Sequence, residues 1–188
     1  MAETQPAIIP FREKFRVWAI LVSLGALIAG IYGILHDLVT YSIGPEYFTQ
    51  FKFYQFHWAN LGWPDRAFAA EIGFLATFWV GAFSAHFLAR TTLRHWPPPV
   101  AFKLCLKGFG TVFALGFLGA LTGAYLGAHH SGDYSYWQEI CEELGVVDLP
   151  AFVRVALIHN AGYLGALLGL VSSLAFLFWQ KRFKGVKG

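Results

Sequence analysis

Residues 17–38 read VWAILVSLGALIAGIYGILHDL, and no charged side chain interrupts them before Asp37. A helix needs roughly 20 apolar residues to cross the hydrocarbon core of a bilayer. Arg12, Lys14 and Arg16 stand just ahead of the run, behind a polar, mixed segment from Met1 to Pro10. The run is too long for a signal-peptide core and no small-x-small cleavage site follows it, so it reads as a retained first helix. Three more stretches share its character: 67–89, 104–128 and 152–179. Together they predict an all-α membrane protein, a four-transmembrane-helix bundle forming one domain over residues 1–188. The composition agrees. Hydrophobic residues make up 56% and aromatic residues 18%, while charged residues are 13% against about 25% in soluble domains.

Orientation follows from the basic residues. Eleven of the fourteen Lys and Arg fall at three sites: Arg12, Lys14 and Arg16; Arg90, Arg94, Lys103 and Lys107; and Lys181, Arg182, Lys184 and Lys187. Such excess marks cytoplasmic segments, so both ends are expected inside. Nine of the eleven acids lie on the other side, from Asp37 at the end of the first span and Glu46 in the first connection to Asp148 at the end of the last. This topology places Cys105 and Cys141 on opposite sides, unable to bridge each other, and Cys141 is expected as a buried free thiol. No Gly-rich phosphate loop and no nucleic-acid-binding patch is present, and attraction to anionic lipid accounts for the basic clusters. The expected partners are the lipid bilayer and, through Gly-rich helix faces, other membrane subunits or a second copy of the chain.

The two outer connections, 39–66 and 129–151, read as lids carrying short amphipathic interfacial helices. In the first, Pro45 suits an opening turn and Glu46 its positive end. Tyr47, Phe51, Tyr54 and Trp58 then recur on one helical face, with Lys52 and His57 between; a short hairpin is the alternative. In the second, Asp133 can cap a helix on which Trp137, Ile140, Cys141 and Leu144 share a face before Gly145 ends it. Pro97, Pro98 and Pro99 form a stiff inner connection.

Small residues mark close helix packing in lipid: Gly25, Ala29 and Gly33; Ala82, Ala85 and Ala89; Gly119, Gly123 and Gly127; Gly165, Gly169 and Ser173. At about 100° per residue, His36, Glu71, His130 and His159 fall on those faces and point into the bundle. Counting about 20 residues per crossing from each cytoplasmic end brings all four to one depth, the outer boundary of the hydrocarbon. Imidazole and carboxylate donors suit a transition metal, so His36, Glu71, His129 or His130, and His159 form a candidate site for Zn, Fe or Cu, with Asp37, His57, Asp133 and Asn160 in support. Haem held between two histidines across the bundle is the weaker cofactor; only His86 lies in the inner half of a span, with His95 in the loop beyond, which argues against two haems spanning both leaflets. An interfacial hydrogen-bond network that titrates as histidine does is the plainer account of the same residues. His86, a turn from Arg90, reads as an interfacial side chain, and Arg154 as the partner of a loop acid.

Residues 41–56, YSIGPEYFTQFKFYQF, resemble a segment of small, uncharacterised bacterial four-span membrane proteins that carry PEYF..FKF.QF on the outer side after the first helix. The resemblance covers the first loop and its flanks, roughly a third of the chain. It implies a bacterial inner-membrane setting and brings no activity, cofactor or catalytic residue. Function therefore rests on the site. The leading expectation is metal binding at the outer mouth, used in metal handling or metal-assisted chemistry on a lipid or periplasmic substrate. The alternatives are an accessory subunit docking through the aromatic loop, and a small transporter; the span centres lack ionisable residues to line a transport path.

Overall fold

The computed structural model describes residues 10–184, so Lys187 and nearly all of the polar N-terminal segment lie outside the described residues. In chain order the elements are α1 (Phe11–Ile43), α2 (Pro45–Tyr47), a π-helical turn (Phe48–Lys52), α3 (Phe53–Gln55), a 3-10 turn (His57–Ala59), α4 (Asp65–His95), α5 (Pro98–Ala128), α6 (Ser135–Leu144) and α7 (Leu149–Lys184). No strand occurs among the described residues, and the fold is the expected all-α four-helix bundle. α1, α4, α5 and α7 are each long and apolar enough to cross a membrane. At about 1.5 Å per residue they run well past a hydrocarbon core of about 30 Å. Large apolar side chains such as Leu27, Leu35, Phe83, Leu121, Leu164 and Val171 are exposed along them. That pattern is costly in water and natural in lipid, and the chain is a multi-pass membrane protein by this measure.

The helices pack as two tight antiparallel pairs, α1 with α4 and α5 with α7. In the first pair Gly25 lies against Gly81, and Gly33 against Gly73, so closely that a methyl group on either side would strike the facing backbone carbonyl. In the second, Gly119, Gly123 and Gly127 meet Ala161, Leu157 and Arg154, while Gly165 meets Leu115. Without a hydrophobic drive between helices in lipid, such backbone contact supplies the dispersion energy that holds a pair together. Gly73 and Gly81 carry the α4 side of its contact with Ala85, whereas the sequence reading rested on Ala82, Ala85 and Ala89.

The connections differ at the two ends. Between α4 and α5 only Trp96 and Pro97 intervene, and Pro98 and Pro99 form the first turn of α5, where a missing N–H costs nothing. The stiff inner loop is thus shorter than the three prolines suggest. At the opposite end the first lid is helical from Pro45 to Gln55, and the hairpin alternative does not form. Its π-helical turn shifts the register, so Tyr47 and Phe48 are buried while Tyr54 and Trp58 swing outward. The second lid holds α6, with Asp133 accepting the Ser135 N–H at 3.1 Å and Gly145 ending it in the left-handed conformation, φ 70°. Trp137, Cys141 and Leu144 pack inward as expected, but Ile140 is exposed. Both lids meet on Phe152, Val155 and Ala156 of α7. Glu46 fastens them together, its Oε2 accepting the N–H groups of Val147 and Asp148 at 2.9 and 2.7 Å just ahead of α7. Cys105 and Cys141 are free and buried in separate clusters, Cys105 toward the proline end and Cys141 under the lids.

Candidate metal centre

α1 and α7 approach each other beneath the first lid, where His36 and Asp37 on α1 meet His159 on α7. One ligand atom from each of the three lies within 4.8 Å of the others. Asp37 is 4% exposed and His159 7%. Asp37 has room because Gly73 of α4 carries no side chain: a Cβ there would come to 3.0 Å from that of Asp37.

The protons on His159 can be assigned from its partners. Nδ1 stands 2.9 Å from the Val155 carbonyl oxygen, which can only accept, so Nδ1 carries a hydrogen and donates it. Nε2 faces Asp37 Oδ1 at 3.1 Å. A neutral imidazole has one N–H, and the helix backbone has already engaged it. A bare Nε2 lone pair facing a carboxylate oxygen in a buried site is repulsive, and a proton on either atom, or a metal ion bound by both, would relieve it. The His36 ring stands edge-on to His159 with centroids 4.7 Å apart, and Tyr32 Oη approaches His36 Nδ1 at 3.4 Å. Thr40, buried a turn further on, donates its hydroxyl to the His36 carbonyl at 3.0 Å and helps fix the last turn of α1.

The first lid roofs this group. Tyr47 stacks on His159 with centroids 4.9 Å apart and Phe48 meets the same ring edge-on at 6.1 Å. Burial pushes the Tyr47 phenol upward, and the nearby Asp37 and Tyr163 reinforce the shift, so Tyr47 stays neutral. Lys52, a turn along, has its ammonium 5.1 Å from the Phe51 centroid and 5.8 Å from that of Tyr47. Burial lowers its pKa, and the field of Asp37 partly restores it. Below the group a cavity of about 80 Å³ runs between the two helix pairs. Tyr32, Thr77, Ser84 and Tyr163 give it polar points on a wall otherwise formed by side chains such as Val80 and Phe113. Its volume gives room for water or for a small ligand group.

The structure thus gathers His36, His159 and Asp37, which the sequence reading held only in support. The other candidates stand elsewhere. Glu71 is outside the three-residue group, with its Oε2 buried and lacking a hydrogen-bond partner. The contact stripe of α4 on α1 steps by four residues through Gly73, Thr77, Gly81 and Ala85, and each step turns it by about 40°. Glu71 lies on the face of Ala85, yet by the lid end the stripe has moved to Gly73, about 160° away from Glu71. His129 is exposed, bonded from Nδ1 to the Tyr125 carbonyl at 2.9 Å and stacked on Tyr125. His130 accepts the Gly132 N–H at 3.3 Å and stacks on Tyr134. His57 turns back to the Tyr54 carbonyl, and Asn160 is exposed, about 100° around α7 from His159. Asp133 stands one residue ahead of the α6 cap position, which Tyr134 takes without a side-chain bond, and the Ser135 N–H holds the Asp133 carboxyl below the ordinary value. His86 accepts the Trp18 indole N–H at 3.2 Å, an interhelical bond toward the other end. No protein family, no curated protein and no solved structure matches this chain.

Proposed function

We propose that this chain is a bacterial inner-membrane protein with both ends in the cytoplasm, and that His36, Asp37 and His159 bind one divalent transition metal ion on the extracytoplasmic side. The observation that carries the reading is the facing pair, His159 Nε2 and Asp37 Oδ1, at 3.1 Å. Bonds of about 2.0–2.2 Å to a shared metal place neighbouring nitrogen and oxygen donors roughly 3.0–3.5 Å apart. The His159 Nδ1 bond to Val155 is the outer hydrogen bond by which metal-binding imidazoles are held in one tautomer. Two histidines and one carboxylate leave coordination positions open, and that donor set suits Zn or Fe. The adjoining cavity gives water or a small substrate group a place at those positions.

A proton in place of the metal is the second reading, favoured by the same 3.1 Å contact, and would make the group a structural ion pair. Elemental analysis of protein purified without added chelator separates the two. The metal reading expects close to one Zn or Fe per chain, retained through gel filtration and lost in His159→Ala and in Asp37→Ala. Metal-free protein that takes up neither ion on titration would leave only the proton. The accessory-subunit alternative draws on exposed Tyr54, Trp58, Leu61 and Trp63 in the first lid. Tyr54, Trp58 and Trp63 also suit the aromatic belt expected at a membrane interface.

A further inference from the structure

A second polar site lies far from the metal centre, in the groove between α5 and α7 near the basic end of the bundle. Ser173 bonds across to the Gly108 carbonyl at 3.1 Å and ties the two helices there. Beside that tie they enclose a space of about 330 Å³ lined by residues of these two helices alone. Leu104, Phe176 and Leu177 give it an apolar wall, and Lys107, Ser172 and Gln180 are polar residues on its lining, the first two exposed.

None of those three polar groups is answered by the protein. Lys107 has no carboxylate within ion-pair distance, and Ser172 has no hydrogen-bond partner, among the described residues. The Gln180 Oε1 atom is buried and unpartnered. A buried polar atom left unpaired is costly. No acid lines the groove, and Lys103, Lys181 and Arg182 make the surroundings positive. A ligand that satisfies this set needs a negative charge for Lys107, an acceptor for Ser172, a polyol or amide-like group for Gln180, and an apolar continuation over Phe176 and Leu177. A phosphate ester bearing hydroxyls and an acyl chain has all four.

We propose that this groove is a binding site for an anionic glycerophospholipid of the phosphatidylglycerol kind, its phosphate on Lys107 and Ser172 and its headgroup hydroxyls on Gln180. The lipid then fills the space between α5 and α7 beside Ser173 and covers the unpaired Gln180 oxygen. A basic pocket between spans on the cytoplasmic side is where anionic headgroups are held.

Native mass spectrometry of the detergent-solubilised full chain, titrated with phosphatidylglycerol and phosphatidylcholine of matched acyl chains, tests this. Glycerol 1-phosphate is the chain-free control. Phosphatidylglycerol is expected to give one adduct at a concentration at least tenfold below that needed for phosphatidylcholine. Lys107→Ala should weaken it about fivefold, the factor carried by one basic residue facing an anionic lipid. Gln180→Leu should weaken it further for phosphatidylglycerol than for phosphatidic acid, which has no headgroup hydroxyl to lose. Lys103→Ala, at the same end but outside the groove, should change it less than twofold. Equal binding of the two lipids, an equal effect of Lys103→Ala and Lys107→Ala, or glycerol 1-phosphate binding as well as the lipid would each overturn the proposal.

Discussion

The two ends of this bundle are built by opposite rules. Toward the proline end the four helices touch directly through Leu21, Leu88, Ala89, Cys105, Val112 and Leu177, an apolar cluster closed by a two-residue turn. At the other end the helices part around His36, Asp37 and His159, and two lids with irregular backbone close the gap. Non-helical backbone at membrane depth survives only where protein buries it or a cavity takes its polar groups. Buried ionisable groups are likewise costly there and carry function by default. One end accepts both costs and the other accepts neither, so the difference locates the chemistry.

The largest break in that contrast comes from removing one member of the buried pair. Asp37→Ala leaves His159 facing an empty space, and breaking a buried pair costs about 3–5 kcal/mol. Thermal unfolding in detergent should register it as the most destabilising single change at the lid end. Asp37→Leu with His159→Leu should recover most of the loss, since an apolar replacement of a whole pair is close to neutral, while abolishing metal uptake. If the double variant is no more stable than Asp37→Ala, the pair is not coupled as the geometry requires.

At the apolar end Leu88→Ala sharpens the comparison. A buried leucine cut to alanine costs about 2–5 kcal/mol, yet metal content should not change, because no member of the site lies in that cluster. A loss of metal in Leu88→Ala would mean that the two ends are not separate.

Much of this was legible in the sequence. The four spans and both lids follow from hydropathy, charge and the helix signals at Pro45, Asp133 and Gly145. Histidines 36 and 159 emerged by counting depth. Asp37 was undervalued because it sits one residue past the expected boundary, and because only the contact with Gly73 shows that α4 leaves it space. Glu71 was overvalued because the face of α4 was fixed at Ala82 and Ala85, then carried outward without the drift that a straight helix imposes. Tyr47 as a lid over His159 depends on the π-helical turn, and no periodicity in the sequence announces an extra residue per turn.

Smaller effects probe the lids. Glu46→Ala removes the acceptor of two N–H groups ahead of α7, and loss of such a cap costs about 1–2 kcal/mol. Hydrogen exchange should rise at Val147 and Asp148 with little change at Leu88. Unaltered exchange there would show that the lids are held by apolar packing alone. The smallest effect concerns Cys141, whose thiol burial pushes above its ordinary pKa. A raised value means less thiolate at any given pH, so alkylation of the folded protein should be slower than that of a free thiol at pH 8. Its rate should still climb beyond pH 10, where an unperturbed thiol of pKa about 8.5 has levelled off. A plateau by pH 10 would place Cys141 in water and the second lid away from α7.

X-ray absorption at the metal edge, on protein loaded with one equivalent of Zn or Fe, addresses the central claim directly. The account predicts a first shell of nitrogen and oxygen near 2.0–2.2 Å with outer-shell scattering from two imidazoles, reduced to one in His36→Ala. Sulfur scattering near 2.3 Å, or an outer shell unchanged in both His36→Ala and His159→Ala, would contradict it.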